Sequence, residues 1–323
     1  MTGVTKNVER QYSGIIPAIP VPFLKNMEID EIGLRRLAKQ LAETGALAGL
    51  LTNGHTGEVF ALSPEERATV TRIVAEELAL LGDLPVISAV SCEGIGDAVL
   101  HSVMAKDAGA RAVMLMPPHH WLRFGHRPSH VVEYFDAVAE AVGIDLFVHV
   151  YPAWTRASYS SDLLAALARK PYIKVFKLGT RDMNRYARDI AAIRAADSTK
   201  TILTCHDEYL LPSMVQGVDG ALVGFGSFLP NAIHGLFQAV QRGDLREAQR
   251  IQAFINPLKD VVYGSGEPTG DAHSRLKEAM RVAGMIENAT PRPPTTEPDK
   301  QEKEHIRAAV EAAGLAKLVS AHA

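Results

Sequence analysis

Short apolar runs rich in β-branched and aromatic residues alternate along the chain with longer amphipathic runs. The short runs predict strands over 14–23, 47–55, 84–91, 111–118, 145–152, 172–179, 200–207 and 219–226, since apolar stretches of this length between turn residues read as buried strands. The longer runs predict helices between them. Residues 63–82 offer Ser63 as N-cap, Glu66 as its capping-box partner and Gly82 as a C-cap. Residues 160–170 start at Ser160 or Ser161 and end on basic side chains that suit a helix C-terminus. The run after the seventh strand, around 209–217, is short and holds Pro212. Strict β/α alternation implies a parallel sheet, and eight such units favour closure as a (β/α)8 barrel.

Beyond the eighth strand the pattern turns wholly helical. It predicts a long helix over 231–262 interrupted at Gly243, another over 271–286, a proline-rich connector over 290–300 and a last helix over 301–315. The expected organisation is a barrel over 1–240 and a C-terminal helical extension over 241–323 packed on it, frayed at its last residues.

Composition narrows the function classes. The chain has 323 residues, 47% of them hydrophobic, enough for one large core. A formal net charge of −3, from 34 basic and 37 acidic residues, argues against a nucleic-acid partner. Cys92 and Cys205 lie far apart and outside any CxxC; they give no disulfide framework and no zinc signature, and a reducing cytoplasm is the simplest setting. The N-terminus lacks the apolar core of a signal peptide. No run of about 18 uninterrupted apolar residues predicts a membrane span. No GxGxxG follows the first strand, against a dinucleotide site.

Barrels of this kind carry their chemistry at the C-terminal ends of the strands. Strand six is the most informative. Phe176 and Leu178 share the face expected to meet the helices, so Lys177 points inward with Val175 below it, while Lys174 can reach solvent. Burial favours the neutral amine, which is the form that attacks a carbonyl. The alternative is a lysine that snorkels to the rim or pairs with an acid. On strand five, His149 and Tyr151 face inward with Phe147, and histidine suits proton transfer. A hydrogen-bonded core histidine is the plainer alternative. Residues 54–58 (GHTGE) follow strand two; two glycines and the Thr56 hydroxyl could hold a carboxylate, or form an ordinary turn. Strand four runs into His119-His120, strand seven into His206-Asp207, and strand eight into Gly224.

Together these residues resemble the dihydrodipicolinate synthase/N-acetylneuraminate lyase family of class I aldolases, over nearly the whole chain. The family's G-[TS]-T-G-E turn corresponds to Gly54-His55-Thr56-Gly57-Glu58. Its proline-then-aromatic motif corresponds to Pro117-Pro118-His119-His120, and its Y-N-x-P motif to His149-Val150-Tyr151-Pro152. The step from 149 to 177 matches the family spacing to its lysine. The resemblance implies an imine between Lys177 and a 2-oxo carbon, with no further cofactor and no metal. It implies that Thr56, Gly57 and the N–H groups of residues 55 and 56 hold the substrate carboxylate, that a backbone carbonyl near Leu222 faces the same substrate, and that Glu58 braces the turn. It also implies a homotetramer, or a dimer.

The departures are as informative. The family's tyrosine–threonine–tyrosine relay positions hold His149, His55 and His120 (or His119), and the synthase arginine falls at Trp154, with Arg156 out of register. Catalytic roles are therefore expected for Lys177, His149, His55 and His120. Substrate contacts are expected from Thr56, Gly57, Tyr151, Leu222, His119 and His206. The function expected is a Schiff-base lyase acting on pyruvate or another 2-oxo acid, by aldol cleavage or condensation or by dehydration of a 2-keto-3-deoxy acid. The alternatives are a 4-hydroxy-tetrahydrodipicolinate (dihydrodipicolinate) synthase, a metal site of His55, His120, His149 and His206, and a catalytically silent scaffold of the same fold.

Overall fold

The computed structural model describes residues 10–264 and 269–316. The expected frayed end and most of the N-terminal segment lie outside them. Eight strands form one parallel sheet: β1 (Gly14–Pro17), β2 (Leu50–Thr52), β3 (Val86–Val90), β4 (Ala112–Leu115), β5 (Asp145–Val150), β6 (Ile173–Leu178), β7 (Thr201–Thr204) and β8 (Gly220–Val223). From β2 to β8 each pairs with its sequence neighbours, and β1 pairs with β8. Bridges Ile15–Leu47 and Ala18–Leu51 close the ring between β1 and β2. All eight strands fall inside the spans expected from sequence, but are shorter.

Side-chain alternation splits the core into two layers. Ile16, Leu51, Ile87, Phe147, Val175 and Leu203 fill the barrel interior. Val148, Val150, Phe176 and Leu178 face outward into the larger layer beneath the helices. This is the parity expected for β5 and β6. At the β1–β8 seam the backbones touch so closely that a Cβ on Gly220 would lie 1.8 Å from the Gly14 carbonyl oxygen, so the closure requires glycine there.

The surrounding helices are α1 (Glu31–Ala42), α2 (Pro64–Ala79), α3 (Ile95–Asp107), α4 (His119–Phe124), α5 (Pro128–Val142), α6 (Ser161–Ala168), α7 (Met183–Ala196), α8 (Leu210–Met214) and α9 (Pro230–Gln241). Ser63 and Glu66 form the expected capping box on α2, which ends at Ala79 rather than at Gly82. Ser160, not Ser161, caps α6 through the Leu163 N–H. After strand four there are two helices, not one, because Pro118 starts the short α4. The extension comprises α10 (Leu245–Tyr263), α11 (Ala272–Val282) and α12 (Lys300–Ala312). Gly243, at a φ of 72°, separates α9 from α10 as expected. Among the described residues, no helix is long and apolar enough to cross a membrane.

Candidate active site

A cavity of about 420 Å³ opens at the C-terminal ends of the strands. Lys177, His149, Tyr151, His55 and Thr56 all line it, so the fold brings together five residues drawn from three separate strand ends. Lys177 lies beside His149 in the β5–β6 register. Burial lowers its pKa from the ordinary lysine value; Cys205 and Asp207 oppose that shift, and Arg181 adds to it. A larger neutral fraction is what a carbonyl-attacking amine needs.

Two aromatic groups crowd the lysine from β5. The rings of His149 and Tyr151 meet edge-on with centroids 5.0 Å apart. The Tyr151 hydroxyl is 3.4 Å from Nε2 of His55. Burial, then the charge of Lys177, drives His149 well below the ordinary histidine value. The same two causes take His55 to about 4, although its ring also borders solvent in the cavity. Both rings are therefore neutral at pH 7. Burial pushes the Tyr151 phenol upward, which keeps it protonated.

The GHTGE turn is held at both ends. Its internal hydrogen bonds use the N–H groups of Gly57, Glu58 and Val59, leaving those of residues 55 and 56 outside the turn's own bonding. Asn53, just before the turn, and Glu58, its last residue, sit at positive φ, 57° and 55°, a conformation that a non-glycine residue keeps only where its surroundings enforce it. Asn53 Nδ2 donates to the Arg67 carbonyl, Thr71 and Ser88. Glu58 is fully buried and accepts from Lys277 Nζ at 2.5 Å and from the Arg292 N–H at 2.8 Å. Burial lowers Lys277 to about 8, against the pull of Glu58. The extension thus braces the turn, which is the role expected of Glu58. Gly224 keeps the turn open: a Cβ there would come within 2.6 Å of Thr56 Oγ1 and 3.0 Å of the Tyr263 hydroxyl.

Other expected residues lie elsewhere. His119 is exposed and held outside the cavity by Ser91 at 3.0 Å and Glu93 at 2.9 Å. His120 is also exposed, its backbone N–H bonded to Glu93. Both sit on α4, which Pro118 turns away from the strand end. His206 is fully buried but points between Tyr186 and Tyr209. Leu222 lies deeper, in the barrel interior, and Gly224 takes the place facing the cavity. Gly57 is buried within the turn. His55, His120, His149 and His206 therefore do not converge, and among the described residues no group of three or more His, Cys, Asp or Glu is placed to hold a metal ion. Trp154 is at the rim, with the Arg181 guanidinium 5.8 Å over its ring.

The cavity also holds residues not expected from sequence: Arg181, Cys205 and Asp207 from the strand-six and strand-seven ends, and Tyr263 and His273 from the extension. Asp207 Oδ1 accepts from the Phe225 N–H at 2.7 Å. Burial raises its carboxyl to about 6, with the Phe225 N–H and Lys177 opposing. The one sequence signal for it was its place beside His206 at the end of strand seven.

Residues 11–313 match the family model described as the dihydrodipicolinate synthetase family. A relative from Methanothrix thermoacetophila, named 4-hydroxy-tetrahydrodipicolinate synthase, is 28% identical over 85% of this chain and 88% of its own. The crystal structure of dihydrodipicolinate synthase from Aquifex aeolicus superposes with a TM-score of 0.83 at 25% identity, over 94% of this chain and 99% of that one. The E. coli K12 prophage protein YagE, solved in complex with pyruvate, shares the fold with a TM-score of 0.84 at 22% identity, over 94% and 99%. With a barrel, an inward lysine and a braced GHTGE turn already in hand, and a family model spanning nearly every described residue, the chain belongs to the dihydrodipicolinate synthetase family.

Proposed function

We propose that this lyase of the dihydrodipicolinate synthetase family joins the 2-oxo carbon of pyruvate, or of a larger 2-oxo acid, to Lys177 as an imine. It then makes or breaks a carbon–carbon or carbon–oxygen bond next to that carbon. The observation that carries the reading is the lowered pKa of Lys177 in the same cavity as Thr56 and His149. The neutral amine adds to the carbonyl, and the carbinolamine loses water to give the iminium ion. Thr56 and the N–H groups of residues 55 and 56 hold the carboxylate. His149, with Tyr151 and His55 behind it, carries the protons of addition and dehydration. The iminium ion is itself the electron sink, so no other cofactor enters the route. We place the enzyme in the cytoplasm as a homo-oligomer, a tetramer or a dimer.

Borohydride reduction in the presence of pyruvate tests this reading. The expected result is one reduced pyruvate adduct, located on Lys177 by peptide mass. Absence of any adduct would sink the proposal. A second reading, 4-hydroxy-tetrahydrodipicolinate synthase, is favoured by the name of the Methanothrix relative. Turnover of pyruvate with aspartate semialdehyde would establish it; trapping without that turnover would remove it.

A further inference from the structure

We infer that Asp207 is the base that takes the C3 proton from the lysine-bound imine, working from the β7 side while His149 works from the β5 side. This rests on the assignment of Lys177 as the imine lysine, and concerns the step after the imine has formed.

The sheet order supplies the geometry. β6 lies between β5 and β7, so an imine on Lys177 has one wall from each neighbour. The β5 wall is His149 and Tyr151. The β7 wall is Cys205 and Asp207, with Tyr263 and Gly224 above. Asp207 is the only carboxylate among the described residues that line the cavity. Its orientation is fixed from the turn after β8 by the Phe225 N–H, at 2.7 Å. The Tyr263 hydroxyl, delivered by α10, hydrogen-bonds it.

The proton balance also favours this wall. His149 is buried, and its pKa is far below the ordinary value, so its neutral ring is a weak base. The Asp207 carboxyl ionises near 6. A base with its pKa close to the working pH combines the right protonation state with useful driving force. The groups that act on it are Lys177 from β6, Glu208 and Cys205 from the β7 end, and Tyr263 from α10. In the step itself the C3–H bond breaks and its proton goes to the carboxylate. The electron pair becomes the C2–C3 double bond, and the C=N π pair returns to nitrogen. A cationic iminium and the anionic Asp207 carboxylate thereby become a neutral enamine and a neutral acid, so that buried charge pair is removed while the substrate carboxylate stays on Thr56.

Exchange of the pyruvate C3 hydrogens in deuterated water, followed by NMR, reads this step without any second substrate. The wild-type enzyme should exchange, with a rate that rises as pH passes through about 6. Asp207→Asn should still give the borohydride adduct on Lys177 but exchange about 10²-fold or more slowly, without that pH limb. Asp207→Glu should recover part of the rate, and thermal melting checks that each variant is folded. Tyr263→Phe removes a hydrogen bond that favours the carboxylate, so its limb should move to higher pH. Asp207→Asn exchanging at the wild-type rate overturns the inference and leaves the imine reading standing. So does a wild-type enzyme that traps pyruvate but exchanges nothing. Loss of trapping in folded Asp207→Asn overturns it as well, because the carboxylate would then serve imine formation. Failure of trapping in the wild type removes the imine reading itself.

Discussion

The two walls of the cavity were built by different rules. The β5 wall follows from strand alternation. β5 and β6 are six-residue strands, long enough for the inward parity set by Phe147 and Val175 to carry through to His149 and Lys177. The β7 wall obeys no such rule. β7 ends at Thr204, and the chain then turns, so His206 goes outward and Asp207 comes into the cavity. The first wall is aromatic and holds neutral imidazole. The second holds a carboxylate and depends on α10, whose place is set by tertiary docking. Local pattern locates residues on regular strands; it does not locate those just past a strand's end, nor those lent by a distant helix.

The largest expected effect tests what the two walls share. Lys177→Met leaves no nucleophile for either to serve. Turnover should fall on the order of 10⁶-fold, the scale seen when a covalent nucleophile is lost, and borohydride with pyruvate should leave no adduct. Retained turnover would mean that the walls enclose some other chemistry.

His149→Phe sharpens the division of labour. It keeps an aromatic ring against Tyr151 but removes the group that moves protons on the β5 side. Imine formation, measured by the rate of borohydride trapping, should slow by about 10² to 10⁴-fold. The pH limb of C3 exchange near 6 should persist, because it belongs to Asp207. Loss of that limb in His149→Phe would reverse the roles of the two walls.

What is legible in the sequence divides along the same line. Eight strands, inward Lys177, and the places of Thr56, His149 and Tyr151 were legible because alternation and turn chemistry are local. The bracing role of Glu58 came from the family resemblance, but its partners Lys277 and Arg292 lie more than 200 residues away, at sequence separations of 219 and 234, and no local pattern names them. His119 and His120 leave the cavity for a local reason: Pro118 begins a helix there, and the strand does not run on. At strand eight it is Gly224 that lines the cavity, above the Leu222 side chain. Parity put Leu222 in the barrel interior with Ile16 and Leu203, and the cavity begins above that layer.

His206 offers the subtlest test, since it adjoins Asp207 yet faces the other way. Burial first, and Arg181 second, depress its pKa to about 3 from 6.5. The folded state therefore holds it neutral, while the unfolded chain protonates it below 6.5. Its contribution to stability is complete above that pH and is lost as pH falls toward about 3. Down to pH 5 the loss is about 2 kcal/mol, taking 1.36 kcal/mol per pH unit below the unfolded value. His149 acts in the same direction. Asp207 acts oppositely: its carboxyl is raised from 3.8 to about 6, so acidification through that window favours the folded state. Comparing His206→Phe with wild type cancels the other two groups. The wild-type melting temperature should drop more between pH 7.5 and pH 5 than that of His206→Phe. Equal drops would mean that the ring is not held neutral, and that the turn after β7 does not separate His206 from Asp207 in the way the fold indicates.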